Sequence, residues 1–174
     1  SYQITYKKRE SLARLQELEK QYNCEIPDIL KKLYLETGAF SIKDAANWGS
    51  LQIYSNQESS YKMPNIGGLV TMIDKVWGGR PEFSQYFSTE QIKFLNDHYF
   101  IFGHYFFDDN SYDHFYFDRQ GKFGILTYDQ DDFTSALKED FRPLLQASLA
   151  SLTLDELISK QVDKAIESLL EDEL

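Results

Sequence analysis

The segment from His98 to Phe117 holds ten aromatic residues in 20: Tyr99, Phe100, Phe102, Tyr105, Phe106, Phe107, Tyr112, Phe115, Tyr116 and Phe117. Aromatic side chains favour strands, because they pack well on a pleated surface. Two turn-like tetrapeptides, Asp108-Asp109-Asn110-Ser111 and Asp118-Arg119-Gln120-Gly121, divide this stretch and the apolar run after it. The second has Asp first and Gly last, as a hairpin turn prefers. Strands are therefore predicted at 98–107, 112–118 and 122–128. The connections are too short for a parallel crossover, so the pairing must be antiparallel. The aromatics fall on both strand parities, which is more than one buried face needs. The expectation is that one face packs under helices and the other stays partly exposed, bordered by aspartates.

Helices are predicted on both sides of this sheet. Leu12, Leu15, Leu18 and Tyr22 recur at helical spacing. Ile26, Ile29, Leu30, Leu33 and Tyr34 do so again, with Pro27 suited to the first helical position and Gly38 to the stop beyond. Trp48-Gly49 leads into a short strand at 51–54, and Ser55–Ser60 reads as a loop. Gly67-Gly68 and Gly78-Gly79 read as turns bracketing a short helix with Thr71 as its N-cap, and 81–85 reads as a loop. Ser88 and Gln91 form a capping box, stapled by Phe87 and Ile92. Residues 141–149 are amphipathic. Thr153 and Glu156 make a second capping box, with Leu152 and Leu157 as its staple, opening a long apolar stripe that ends at Leu169. Helices, then sheet, then helices indicate an α+β fold. Residues 1–174 read as one domain with an added C-terminal helix at 153–172.

Charge narrows the partner. Formal net charge is -10 over 174 residues. Binding a nucleic-acid backbone or an anionic membrane needs a basic patch, so neither is expected, whereas a basic protein would be attracted. The single cysteine, Cys24, excludes an internal disulfide and suits a reducing compartment. No apolar run approaches the ~20 residues of a membrane span. The polar N-terminus does not read as a signal peptide. The expected location is cytoplasmic.

Catalytic motifs are missing from the sequence: no GxSxG, P-loop, GxGxxG, HExxH or CxxC. His98, His104 and His114 fall on the predicted sheet near Asp108, Asp109 and Asp113, but their spacing fits no known metal-ligand pattern. The paired carboxylates Asp108/Asp109, Asp131/Asp132 and Glu139/Asp140 sit in predicted loops and helix starts, where water keeps them ionised and unsuited to acid catalysis. No cofactor is implied.

The order of these pieces resembles the SUKH superfamily, which includes bacterial immunity proteins and a yeast cell-wall synthesis regulator. The matching pieces are Ile26-Pro27-Asp28-Ile29-Leu30, Trp48-Gly49, Phe100-Ile101-Phe102-Gly103, the hairpin Phe115-Tyr116-Phe117-Asp118-Arg119-Gln120-Gly121, Tyr128-Asp129 and the helix at 141–149. The stretch around 55–97 and the helix after Thr153 depart from the pattern. The resemblance implies a central, strongly bent antiparallel sheet flanked by helices, and a role that is not enzymatic. Many bacterial members are cytoplasmic antidotes that bind a cognate toxin, often a nuclease.

The expected partner-binding residues are Trp48, Tyr105, Asp108, Asp109, Tyr112, Asp113, Asp129, Asp131 and Asp132. The aromatics would anchor and the carboxylates would orient and speed encounter with a basic toxin domain. The alternatives are a regulatory scaffold that docks on another cellular protein, and a small metal-binding enzyme using the histidines. The oligomeric state stays open.

Overall fold

The computed structural model describes residues 2–44, 50–56, 65–76, 83–108, 111–129 and 153–171. In chain order these form β1 (Tyr2–Tyr6), α1 (Leu12–Tyr22), α2 (Asp28–Glu36), β2 (Phe40–Asp44), β3 (Ser50–Ile53), β4 (Gly67–Gly68), α3 (Leu69–Val76), a 3-10 turn (Ser84–Tyr86), α4 (Thr89–His98), β5 (Tyr99–Asp108), β6 (Ser111–Asp118), β7 (Phe123–Asp129) and α5 (Leu154–Glu171). The fold is α+β. The predicted helix at 141–149, Trp48 and Gly78-Gly79 lie outside the described residues.

All pairing in the sheet is antiparallel. Six strands run β1-β2-β3-β5-β6-β7, and β4 adds to β5. Strand β5 is long enough for two partners on one edge. Gly103–Phe106 pairs with β3, and Phe100–Ile101 pairs with β4. Strands β1 and β2 were not anticipated from sequence. Their signal is period-2 alternation (Ile4 and Tyr6, Phe40 and Ile42), brought into register as Ile4↔Ile42 and Tyr6↔Phe40.

The helix ends follow local chemistry. Ser11 caps α1 by accepting from the Arg14 N–H at 3.2 Å, and Asn23 closes it in the left-handed region at φ 49°. Pro27 stands at the cap of α2 rather than inside its first turn, its carbonyl accepting from Leu30 and Lys31 at 2.9 Å. Gly38, at φ +82°, follows α2, and its N–H donates to the Leu33 carbonyl at 3.0 Å. A Cβ there would come 2.7 Å from the Lys7 carbonyl oxygen, so glycine lets the α2–β2 turn lie against the chain leaving β1. The Ser88–Gln91 capping box forms reciprocally, as does that of Thr153 and Glu156.

Two expectations change between 67 and 76. Gly67-Gly68 is not a turn but a short strand paired with Ile101 and Phe100. A Cβ on Gly68 would meet the Asn96 side chain at 2.7 Å, so the missing side chain is what allows α4 so close. Thr71 is not an N-cap, because α3 already begins at Leu69. The cap comes from another helix. Asn96 Oδ1 accepts from the Val70 and Thr71 N–H groups at 2.9 and 3.1 Å, and Asn96 Nδ2 donates to Thr71 Oγ1 at 2.9 Å.

Both faces of the sheet are covered over β5 and β6, which corrects the expectation of one exposed face. On the first face, Phe100, Phe102, Tyr105, Phe115 and Phe117 pack with Leu15, Leu18, Leu30, Tyr34 and Leu157 from α1, α2 and α5. On the second, Tyr99, Ile101, Tyr116 and Leu126 pack with Leu69, Ile73, Phe83 and Leu95. The stretch that departs from the family pattern therefore supplies the helices of the second layer. A register shift between Ile101 and Gly103 makes Phe102 an extra residue opposite Phe115 and Tyr116. Such a bulge changes strand parity and bends the sheet.

Candidate protein-binding surface

Antiparallel register determines which residues share an end of the sheet. At one end, Lys43 of β2 pairs with Ser50, Ser50 with Phe106, Phe106 with Tyr112, and Tyr112 with Tyr128. One row further out, Asp108 pairs with Ser111 and Ser111 with Asp129. The ends of β5 and β7 thus place two aspartates on either side of β6. Asp109 falls between β5 and β6 in sequence, and Asp131 and Asp132 follow β7 in sequence. Those three, like Trp48, lie outside the described residues.

Two expected contact residues are inside the protein. Tyr105 is 2% exposed and belongs to the first core. Asp113 is 3% exposed, and its Oδ1 accepts from Thr127 Oγ1 at 2.6 Å across the β6–β7 pair. The bulge turns Tyr105 inward, so neither residue faces a partner in this conformation. Tyr112 is half-buried and lies against Phe106, with ring centroids 4.9 Å apart. Phe106, also half-buried, was overlooked in the sequence. Its signal is its place two residues before the Asp108–Ser111 turn, which sets it opposite Tyr112.

Behind this aromatic pair lies a buried polar cluster. His104 pairs with His114 in the register, their ring centroids 6.4 Å apart. The Tyr54 hydroxyl and His104 Nδ1 are hydrogen-bonded at 2.9 Å. Tyr112 stacks on His114 at 5.7 Å, the rings nearly parallel. Both His114 nitrogens are buried and have no hydrogen-bond partner among the described residues. Burial disfavours the charged imidazole, holding His104 down at about 4 and His114 at about 3. His98 is elsewhere, at the end of α4, stacked on Phe94 at 4.1 Å. Among the described residues no group of three or more His, Cys, Asp or Glu could hold a metal ion.

A cleft of about 470 Å³ opens at the opposite end of the sheet, with Tyr22, Gly67, Gly68, Asn96, Asp97 and Arg119 in its walls. Its chemistry is that of paired and protonated groups. Lys93 holds Asp97 in an ion pair at 2.6 Å and keeps its carboxyl below the usual range. Burial pushes the Tyr22 phenol up. Nearby, burial and then Glu19 push the Cys24 thiol up to about 11, so it is protonated at neutral pH and a poor nucleophile. Among the described residues no helix is long and apolar enough to cross a membrane.

No curated protein matches the chain. The SMI1 / KNR4 family (SUKH-1) matches residues 10–146, which takes in α1 through β7 and leaves β1 and α5 outside. With most of its length matched, and with the sheet and flanking helices that the resemblance implied, the chain belongs to the SMI1 / KNR4 family (SUKH-1).

Proposed function

We propose that this chain is a non-enzymatic binding domain, and that it neutralises a cognate basic toxin domain by covering it with the acidic end of its sheet. The observation that carries this reading is the row Asp108, Ser111, Asp129 beside the half-buried pair Phe106 and Tyr112. Carboxylates at a rim steer an oppositely charged partner, and an aromatic patch inside that rim supplies contact area. Family membership supports a binding role. The net charge of -10 favours a cationic partner over nucleic acid. A toxin acting on nucleic acid carries such a cationic face, and covering it would block the substrate. The proposed location is the cytoplasm, where such a toxin acts.

The test begins with a pull-down from the native cell and then measures binding to the recovered partner. Reversal of Asp108, Asp109, Asp131 and Asp132 to lysine should weaken binding and flatten its salt dependence, with the fold intact by circular dichroism. Equal affinity for wild type and the quadruple variant would sink the acidic-rim model. A partner whose activity is unchanged when bound would point to a scaffold instead.

A further inference from the structure

The outer edge of β1 is a strand edge with a self-complementary sequence. Among the described residues nothing pairs with it, and Gln3, Ile4, Thr5 and Tyr6 are all exposed. Ile4 and Tyr6 are 53% and 63% exposed. Edge strands are usually blunted by charge, proline or a bulge. Strand β1 reads Tyr-Gln-Ile-Thr-Tyr, with no charge and no proline, and its pairing with β2 is unbroken.

Its hydrogen-bonding phase is set by one contact. The Lys7 N–H donates to the Ala39 carbonyl at 2.8 Å, continuing the β1–β2 register in which Tyr6 faces Phe40. In an antiparallel pair, hydrogen-bonded and non-bonded residue pairs alternate. Lys7, Thr5 and Gln3 therefore turn their backbone groups toward β2. The N–H and C=O groups of Tyr2, Ile4 and Tyr6 point the other way, to the open edge.

We propose that this edge pairs with β1 of a second copy of the chain, antiparallel about a two-fold axis at Ile4. The strand reads almost the same in both directions. The axis sets Ile4 against Ile4 of the second copy, Gln3 against Thr5, and Tyr2 against Tyr6. Every outward backbone group then finds a partner: each of the pairs 2/6, 4/4 and 6/2 exchanges two hydrogen bonds. Any other antiparallel register leaves some of these groups unpaired. Charge permits the contact although each chain carries -10 overall. The strand is neutral, and the residues that follow it, Lys7, Lys8 and Arg9, are cationic, so like-charge repulsion between two acidic chains is relieved where they meet. The sheet becomes continuous through both chains. A contact this small lies below the area of a permanent interface, so the dimer forms and dissociates with concentration. This inference is independent of the toxin reading.

Sedimentation of the full chain over a concentration series tests it. The wild-type mass should rise from one chain toward two, while Ile4→Lys and Ile4→Glu alone should each weaken self-association at least about tenfold, since like charges then face each other on the axis. Mixing the two variants should restore the dimer, because Lys and Glu become directly opposed. Far-UV circular dichroism confirms that both variants keep the fold. A wild type that stays monomeric at the highest concentration overturns the proposal, as does a dimer that either single variant leaves intact. A mixture that fails to associate also overturns the two-fold register at Ile4.

Discussion

His104 and His114 stand directly opposite each other on β5 and β6, both buried, and among the described residues His104 has a hydrogen-bond partner where His114 has none. Each is held neutral by burial, at about 4 and about 3. In the unfolded chain both titrate near 6.5. Below 6.5 the unfolded state takes up protons that the folded state refuses. The stabilising contribution of the two neutral rings is thus complete above pH 6.5, and is lost as pH falls toward 4.

The expected loss between pH 7.5 and 5 is about 2 kcal/mol per histidine, measured by urea unfolding. His114→Phe should remove close to half of that dependence. It should cost less than about 1 kcal/mol at pH 7.5, because it replaces a ring whose two nitrogens are unsatisfied. A variant with the full wild-type pH dependence would show that His114 is not held neutral.

Asn96 caps a helix it does not belong to. Asn96→Ala leaves the Val70 and Thr71 N–H groups without their acceptor and should destabilise the protein by about 1–2 kcal/mol in urea unfolding. Asn96→Asp keeps the acceptor and should recover most of that loss. If both variants cost the same, the contribution of Asn96 is packing rather than capping.

Two glycines should fail for different reasons. At Gly103 a Cβ would sit 2.6 Å from the Gln52 carbonyl oxygen, on the strand paired with it, so Gly103→Ala should cost more than about 2 kcal/mol. At Gly121 the nearest atom is Pro27 Cγ at 3.5 Å, but φ is +75°. Gly121→Ala should cost about 1 kcal/mol, from backbone conformation alone. Gly121→Asn, which tolerates that region better, should fall between alanine and wild type; thermal or urea unfolding ranks the three.

Rim charge and aromatic contact should separate kinetically. Reversing Asp108 and Asp129 should slow association with a basic partner by roughly tenfold at low salt and leave dissociation nearly unchanged. Tyr112→Ala should speed dissociation and leave association alone. Surface plasmon resonance at two salt concentrations distinguishes them. Equal effects on both rates would mean that charge and contact are not divided this way.

What could be read in advance was local chemistry. Capping boxes at Ser88 and Thr153, the Asp118–Gly121 turn and the helical stripes of α1 and α2 depend on residues a few positions apart, and all formed. What could not be read depends on distant contacts. Gly67-Gly68 looks like a turn until β5 lies beside it, and Thr71 looks like a cap until Asn96 arrives from α4. The candidate site divides in the same way. Proximity to turns put Asp108 and Asp129 at one sheet end, whereas the inward turn of Tyr105 follows from a bulge that alternation in the sequence does not announce.

That bulge gives β5 something like a reading frame. Up to Phe102, even-numbered residues enter the first core. Beyond it Tyr105 does, and His104 goes to the side of Tyr54 and His114. Straightening the strand with no residue lost would exchange the two sides downstream, sending an imidazole into the phenylalanine core and a tyrosine into the histidine cluster, whereas deleting Phe102 itself would keep the sides and remove one core ring. Lineages of this domain should therefore vary freely in length at surface turns, while the stretch from Phe100 to Tyr105 changes its residue count only where the bulge is gained or lost with it.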